Sequence, residues 1–143
     1  MAEKNDWWTA PATDDNGNII MVTGRRDVDR FREKGHFKVR VTIRWNYSGN
    51  NQGFPDMETS QLMEQATEAF HEYMNGKVTA VLTGIYTGGG MREWVFYTTS
   101  SESFNRQLNH ALKDLPLLPL EISAEFDPDW EEYLEMKEAT EIL

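Results

Sequence analysis

The sequence predicts an α+β fold: a two-layer sandwich in which one open sheet carries helices on one face. Three observations predict it. Segments of strict apolar–polar alternation and segments of helical apolar spacing follow one another between Phe37 and Phe126, in the order strand, helix, strand, strand, helix, strand. A glycine-rich turn joins the two middle strands. A further strand–turn–strand pattern precedes this block, and an acidic helical segment follows it. A chain of 143 residues is expected to make one domain. Its parts are an N-terminal hairpin (7–24), a core (37–126) and a C-terminal helix (127–143).

Trp7 to Ala12 and Ile19 to Gly24 flank Asp14-Asp15-Asn16-Gly17-Asn18. Asn-Gly supplies the positive φ angles of a tight turn, so this pair reads as a β-hairpin. Pro11 has no amide to donate, which puts the first strand at an edge or ends it early. Arg25 to Gly35 is polar and reads as a loop or a short helix. From Phe37 to Tyr47, Phe37, Val39, Val41, Ile43, Trp45 and Tyr47 point one way and Lys38, Arg40, Thr42, Arg44 and Asn46 the other. Ser48 to Pro55 is a loop.

Thr59 or Ser60 is placed to cap the next helix. Leu62, Met63, Ala66, Ala69, Phe70, Tyr73 and Met74 recur at helical spacing in it, and Asn75-Gly76 ends the run. Val78 to Thr87 and Met91 to Thr99 are strands joined through Gly88-Gly89-Gly90. Ser100 or Ser101 caps a helix with Phe104, Leu108, Ala111, Leu112 and Leu115 on one face. In the last strand Leu120, Ile122, Ala124 and Phe126 alternate with Glu121, Ser123 and Glu125. Asp127-Pro128-Asp129 reads as the capped start of a terminal helix with Trp130, Tyr133, Leu134 and Lys137 on one side.

The order from 37 to 126 is βαββαβ, the ferredoxin-like plan. In that plan the first and last of the four strands pair antiparallel. Here their outer faces are basic (Lys38, Arg40, Arg44) and acidic (Glu121, Glu125), and such cross-strand pairs contribute roughly 0.2–1 kcal/mol each.

The net charge of −10 argues against nucleic acid, whose phosphates would be repelled. The charge is uneven. Residues 25–44 hold eight basic side chains against three acidic ones, and residues 127–143 hold seven acids against Lys137 alone. Either these segments neutralise one another or one of them is a docking surface. There are no cysteines, which excludes disulfides and thiolate metal sites and fits a reducing compartment. Met1 to Asp6 lacks a signal pattern, and no apolar run approaches the roughly 20 residues that span a bilayer. A soluble, cytoplasmic protein is expected.

Trp7-Trp8, Gly53-Phe54-Pro55, Thr83-Gly84, the strand Gly90-Met91-Arg92-Glu93-Trp94-Val95-Phe96-Tyr97, and Asp127-Pro128-Asp129-Trp130 with Tyr133 together resemble the bacterial domain-of-unknown-function family number 695. The resemblance covers nearly the whole chain. It implies a small cytosolic bacterial protein with no known catalysis. Because members are sometimes joined to a domain similar to the B-type regulator of ribonuclease E, it also implies a distant association with that ferredoxin-like regulator. It brings no catalytic residues with it.

Four candidate binding features stand out. Arg92 and Trp94, with Tyr97 beyond them, follow three glycines that admit close approach of a ligand or another backbone; the simpler reading is a hairpin turn with an exposed ion pair. Asp127 and Asp129 with Trp130 and Tyr133 could serve a metal or acid–base chemistry, but capping and the helix dipole explain them fully. The basic strand face of Arg40 and Arg44 lacks the stacked aromatics and octapeptide of RNA-binding sheets. Trp7 and Trp8 face opposite sides of a strand, so one of them needs a cover, from the terminal helix or a partner. His36, His71 and His110 have no ligand spacing, and no catalytic, phosphate-loop or dinucleotide motif occurs.

The sequence therefore points to a non-enzymatic protein-binding or regulatory module, contacting another protein through its acidic helix and N-terminal aromatics. The alternative is a small-molecule or anion-binding domain using Arg92 with Arg40 and Arg44. An enzyme ranks last. No cofactor, metal, nucleic acid or membrane is expected, and the chain is read as a monomer or homodimer.

Overall fold

The strand alternation is realised as one six-stranded antiparallel sheet in a computed structural model that describes residues 7–49, 53–74 and 80–141. The elements run β1 (Trp7–Thr13), β2 (Ile19–Arg25), α1 (Asp29–Glu33), β3 (Val39–Asn46), α2 (Met57–Tyr73), β4 (Ala80–Gly88), β5 (Met91–Thr98), α3 (Ser101–Ala111), β6 (Leu120–Phe126) and α4 (Glu131–Thr140). The sheet order is β1-β2-β4-β5-β3-β6, so the N-terminal hairpin joins the free side of β4 and widens the sheet beyond four strands. Pro11 sits in β1, an outer strand, opposite Met21. β3 and β6 pair antiparallel, with Arg40 opposite Glu125 and Arg44 opposite Glu121.

Within β3 the alternation sorts the side chains as expected, but Phe37, which precedes the strand and is not held to its pleat, packs on the opposite face rather than with Val39 and Val41. Val41, Ile43 and Trp45 are buried on the face covered by α2 and α3, together with Met63, Ala66, Phe70, Trp94, Phe96, Phe104 and Leu108. Phe70 meets Trp94 edge-on at 5.3 Å between ring centroids. The Trp94 indole N–H donates to Thr67 Oγ1 at 2.9 Å, whose hydroxyl donates in turn to the Met63 carbonyl at 2.9 Å, so the polar atoms inside this core are partnered.

Helices on one face only was the wrong expectation. A second core occupies the opposite face, where Trp8, Val22, Val28, Phe31, Phe37, Val81, Val95 and Tyr97 pack with Trp130, Tyr133 and Met136 around α4. The physical reason lies in β4 and β5: Val81, Val95 and Tyr97 are apolar on the second face as well, so both faces of these strands need covering.

Helix boundaries also moved. The α2 cap is Asp56, whose carboxylate accepts from the Thr59 amide at 2.8 Å, rather than Thr59 or Ser60. Ser100 caps α3, as one of the two expected serines. α4 starts at Glu131, not at Pro128, and turns Tyr133, Met136 and Thr140 inward while Leu134 stays partly exposed. The Asn75-Gly76 stop and the start of the strand expected from Val78 lie outside the described residues.

The two tryptophans divide as strand geometry requires. Trp7 meets His71 of α2 edge-on at 5.4 Å. Trp8 is buried under α4, donates from its indole to Thr140 Oγ1 at 2.9 Å, and lies across Gly24, where an added Cβ would sit 2.2 Å from its ring. Trp8→Ala is expected to cost about 3–5 kcal/mol by emptying this site, and Gly24→Ala about 1–3 kcal/mol by overfilling it. Urea unfolding checks both; losses below about 0.5 kcal/mol would contradict the packing.

Candidate functional site

Every described part of the site hangs on the junction between β6 and α4. Asp127 is buried at the end of β6. Its Oδ2 accepts from the Tyr97 hydroxyl at 2.7 Å and from Arg40 Nη1 at 2.9 Å, and its Oδ1 accepts from the Glu131 amide at 2.9 Å. The Glu132 amide reaches Oδ2 at 3.3 Å. Asp127 thus satisfies the open amides of α4 from four and five residues upstream, across a turn that occupies the expected first helical turn. Burial pushes its carboxyl up, but the bonds from Tyr97, the two amides and Arg40 outweigh that and hold it below the ordinary aspartate value. Trp130 stacks on Tyr97 at 4.2 Å and donates to the Phe37 carbonyl at 2.7 Å, and the Tyr133 hydroxyl donates to the Arg25 carbonyl at 2.5 Å. The charge segments do meet here: Arg40 pairs with Asp127, and Arg26 pairs with Glu141 at 2.6 Å.

α4 covers only part of its face. Beside it, over β3, β5 and β6, lies an open polar cleft of about 420 Å³, with Arg40, Arg44, Glu93, Tyr86, Glu125 and Glu132 on its walls. Arg44 is paired with Glu93 at 2.5 Å, and Arg40 with Glu125 as well as Asp127. The Tyr86 hydroxyl donates to Glu132 Oε2, while Oε1 of Glu132 is buried and has no hydrogen-bond partner among the described residues. Burial pushes the Glu132 carboxyl above the ordinary glutamate value; Tyr86 and Arg40 pull it back only in part, and Asp127 and Glu93 push it further.

The sheet edge opposite β1 is β6. Glu121, Ser123 and Glu125 continue the polar cleft face, while Ile122, Ala124 and Phe126 lie on the α3 side and are exposed, Phe126 at 74 %. Next to them the fully exposed Leu117 flanks a groove of about 320 Å³ walled by Leu112, Leu115, Leu118 and Leu120. An apolar row on the last strand of a sheet is an unfilled pairing template.

Sequence-chosen residues are brought together only in part. Arg40, Tyr97, Asp127, Trp130 and Tyr133 form one cluster, with Arg44 at its rim. Arg92 and Trp94 lie on the opposite face, because Arg92 pairs with Trp45 and Glu93 with Arg44 across β3 and β5. One site using Arg92, Arg40 and Arg44 together is therefore ruled out by the pleat. Nor is Arg92 at an exposed hairpin tip: its side chain is 13 % exposed. The glycines before it admit the chain's own backbone, since a Cβ on Gly88 would sit 2.4 Å from the Ile19 carbonyl oxygen and the Gly90 amide donates to the Gly53 carbonyl at 3.0 Å. Trp7 and Trp8 face inward and form no exposed aromatic surface. Sequence reasoning missed Tyr86, and it took Glu132 as one of the acids of an outward docking helix rather than as a wall of the cleft. The signal for Glu132 was its position four residues before Met136, on the inward side of α4.

Among the described residues, no group of three or more His, Asp or Glu is placed to hold a metal ion, and no helix is long and apolar enough to cross a membrane. The fold is a mixed α/β protein with an open antiparallel sheet. The chain belongs to the family of unknown function DUF695, whose model matches residues 5–136. No curated protein matches the sequence.

The two buried carboxyls give opposite pH signatures. Glu132 is raised, so its contribution to stability is complete below the glutamate value of 4.5 and is lost as pH rises through its folded value. Asp127 is lowered, so its contribution is present above 3.8 and is lost as pH falls through its folded value. Glu132→Gln is expected to flatten the decline of melting temperature above pH 4.5 and to exceed the wild type at pH 8, as read by calorimetry. Parallel profiles would contradict it.

Proposed function

We propose that this protein is a non-enzymatic protein-binding module of the bacterial cytoplasm that accepts an extended segment of its partner as a seventh strand along β6. The observation that carries the reading is the exposed β6 itself, an amphipathic strand at the sheet edge with its apolar row uncovered. Strand addition supplies affinity through main-chain hydrogen bonds and specificity through alternate side chains. On the groove side the incoming strand needs apolar residues to meet Ile122 and Phe126. On the cleft side it needs basic residues to meet Glu121 and Glu125. A second copy of this chain brings the same acidic row in any antiparallel register, so it offers no opposite charge; a basic segment does. The same reading takes β3 to β6 with α2 and α3 as a ferredoxin-like unit extended by the hairpin, and the order β4-β5-β3-β6 within the sheet supports it.

The Asp127 amide donates to the Lys38 carbonyl at the β3 side. By strand alternation the Ala124 amide then points away from β3, toward the open edge. Ala124→Pro removes that outward donor and leaves the β3 ladder intact. An eight-residue peptide alternating lysine and valine is expected to bind the wild type and shift the β6 amide resonances, with binding at least about tenfold weaker in Ala124→Pro. A glutamate–valine peptide should not bind. Equal binding to both proteins, or concentration-dependent self-association through β6 with no peptide binding, would overturn the reading.

A further inference from the structure

On the sheet face opposite the polar cleft, a groove of about 460 Å³ opens between α2 and strands β2 and β4. That volume lies in the range of about 300–1,000 Å³ typical of small-molecule sites. Its apolar walls include Met21, Phe54 and Ile85, and Arg92 projects into it from β5. The Arg92 side chain is nearly buried against the Trp94 ring, 5.8 Å from its guanidinium, yet its charge is only loosely paired among the described residues. Its Nε donates to the neutral Thr87 hydroxyl at 2.8 Å, and its Nη1 reaches Glu64 only at 3.4 Å. Glu64 is a poor counter-ion, since its own side chain is 66 % exposed. A guanidinium has five N–H donors, and these two contacts use two of them.

We infer that this groove is a binding site for a small monocarboxylate with an apolar tail, anchored by Arg92. The planar guanidinium fork matches a carboxylate in a bidentate pair, which a long contact to one exposed glutamate does not provide. The ligand carboxylate takes the place of the Glu64 side chain, which swings into solvent at little cost because an exposed ion pair contributes little. The tail lies against Ile85, Met21 and Phe54 and removes apolar surface from water. A single cation with the acidic Glu64 on the same lining favours a monoanion over a phosphate dianion. The site is separate from the β6 edge and stands or falls independently of strand addition there.

Two-dimensional NMR titration with hexanoate tests it, with hexanol and inorganic phosphate as controls. The Trp94 indole N–H is the reporter, since it donates to Thr67 on the groove wall and its ring lies 5.8 Å from the Arg92 guanidinium. Hexanoate is expected to shift the Trp94 indole and Arg92 Nε–H signals saturably, while neither control does. Glu64→Gln, which alters only an exposed side chain, is expected to tighten hexanoate roughly two- to fivefold by removing the competitor. Arg92→Lys is expected to weaken it at least about tenfold; should that variant fail to fold, Ile85→Glu, which puts a negative charge on the wall, serves the same purpose. Shifts outside the groove, equal shifts with hexanol or phosphate, or no change in Glu64→Gln would overturn the assignment.

Discussion

One carboxylate ties three elements of this protein together. Asp127 accepts from Tyr97 of β5, from Arg40 of β3 and from the first two amides of α4. Burying a charge is costly unless it is fully hydrogen-bonded, and bonds to a charged acceptor are worth about 1.5–3 kcal/mol each. The arrangement also orders Tyr97, whose oxygen donates to Asp127 and accepts from the Tyr133 amide at 3.3 Å. Trp130 reads the same junction from its other side. It holds a left-handed backbone with φ of 57°, a conformation that costs an L-residue about 1–2 kcal/mol. Its stacking on Tyr97 and its buried bond to the Phe37 carbonyl offset that cost.

The division of the sheet follows from this junction. Because α4 is fixed over β2, β4 and β5, the second faces of Val81, Val95 and Tyr97 become core. Because α4 runs away from β6, the β3–β6 half keeps an open polar face, and β6 is left with both rows of side chains exposed. The fastening of the last helix and the openness of the last strand are two consequences of one turn at Asp127-Pro128-Asp129.

Much of the fold was legible where a single face is buried. The alternation within β3 and the N-terminal hairpin each have one physical reading and hold, although the hairpin turn is a five-residue loop from Asp14 to Asn18 in which Gly17 takes positive φ and Asn16 does not. Legibility failed where both faces are apolar. Along β5, Trp94 and Phe96 on one face and Val95 and Tyr97 on the other give no parity to choose from, so the side on which Arg92 lies could not be read. The cap of α2 was placed too late: Asp56 also carries a capping side chain, and its carboxylate takes the Thr59 amide, which leaves Thr59 and Ser60 inside the helix. In the candidate site, Arg40, Tyr97 and Asp127 were visible as motif members. Their meeting depends on β3, β5 and α4, separated by up to 87 residues, which no local pattern reports.

The direct test of this account is amide hydrogen exchange in Asp127→Ala, resolved by residue. If Asp127 fastens α4 to the sheet, the amides from Leu134 to Thr140 lose protection at least about tenfold more than those at the centres of β3 and β5, as a sub-global opening. Unchanged protection in α4, or an equal loss in every element, would contradict it.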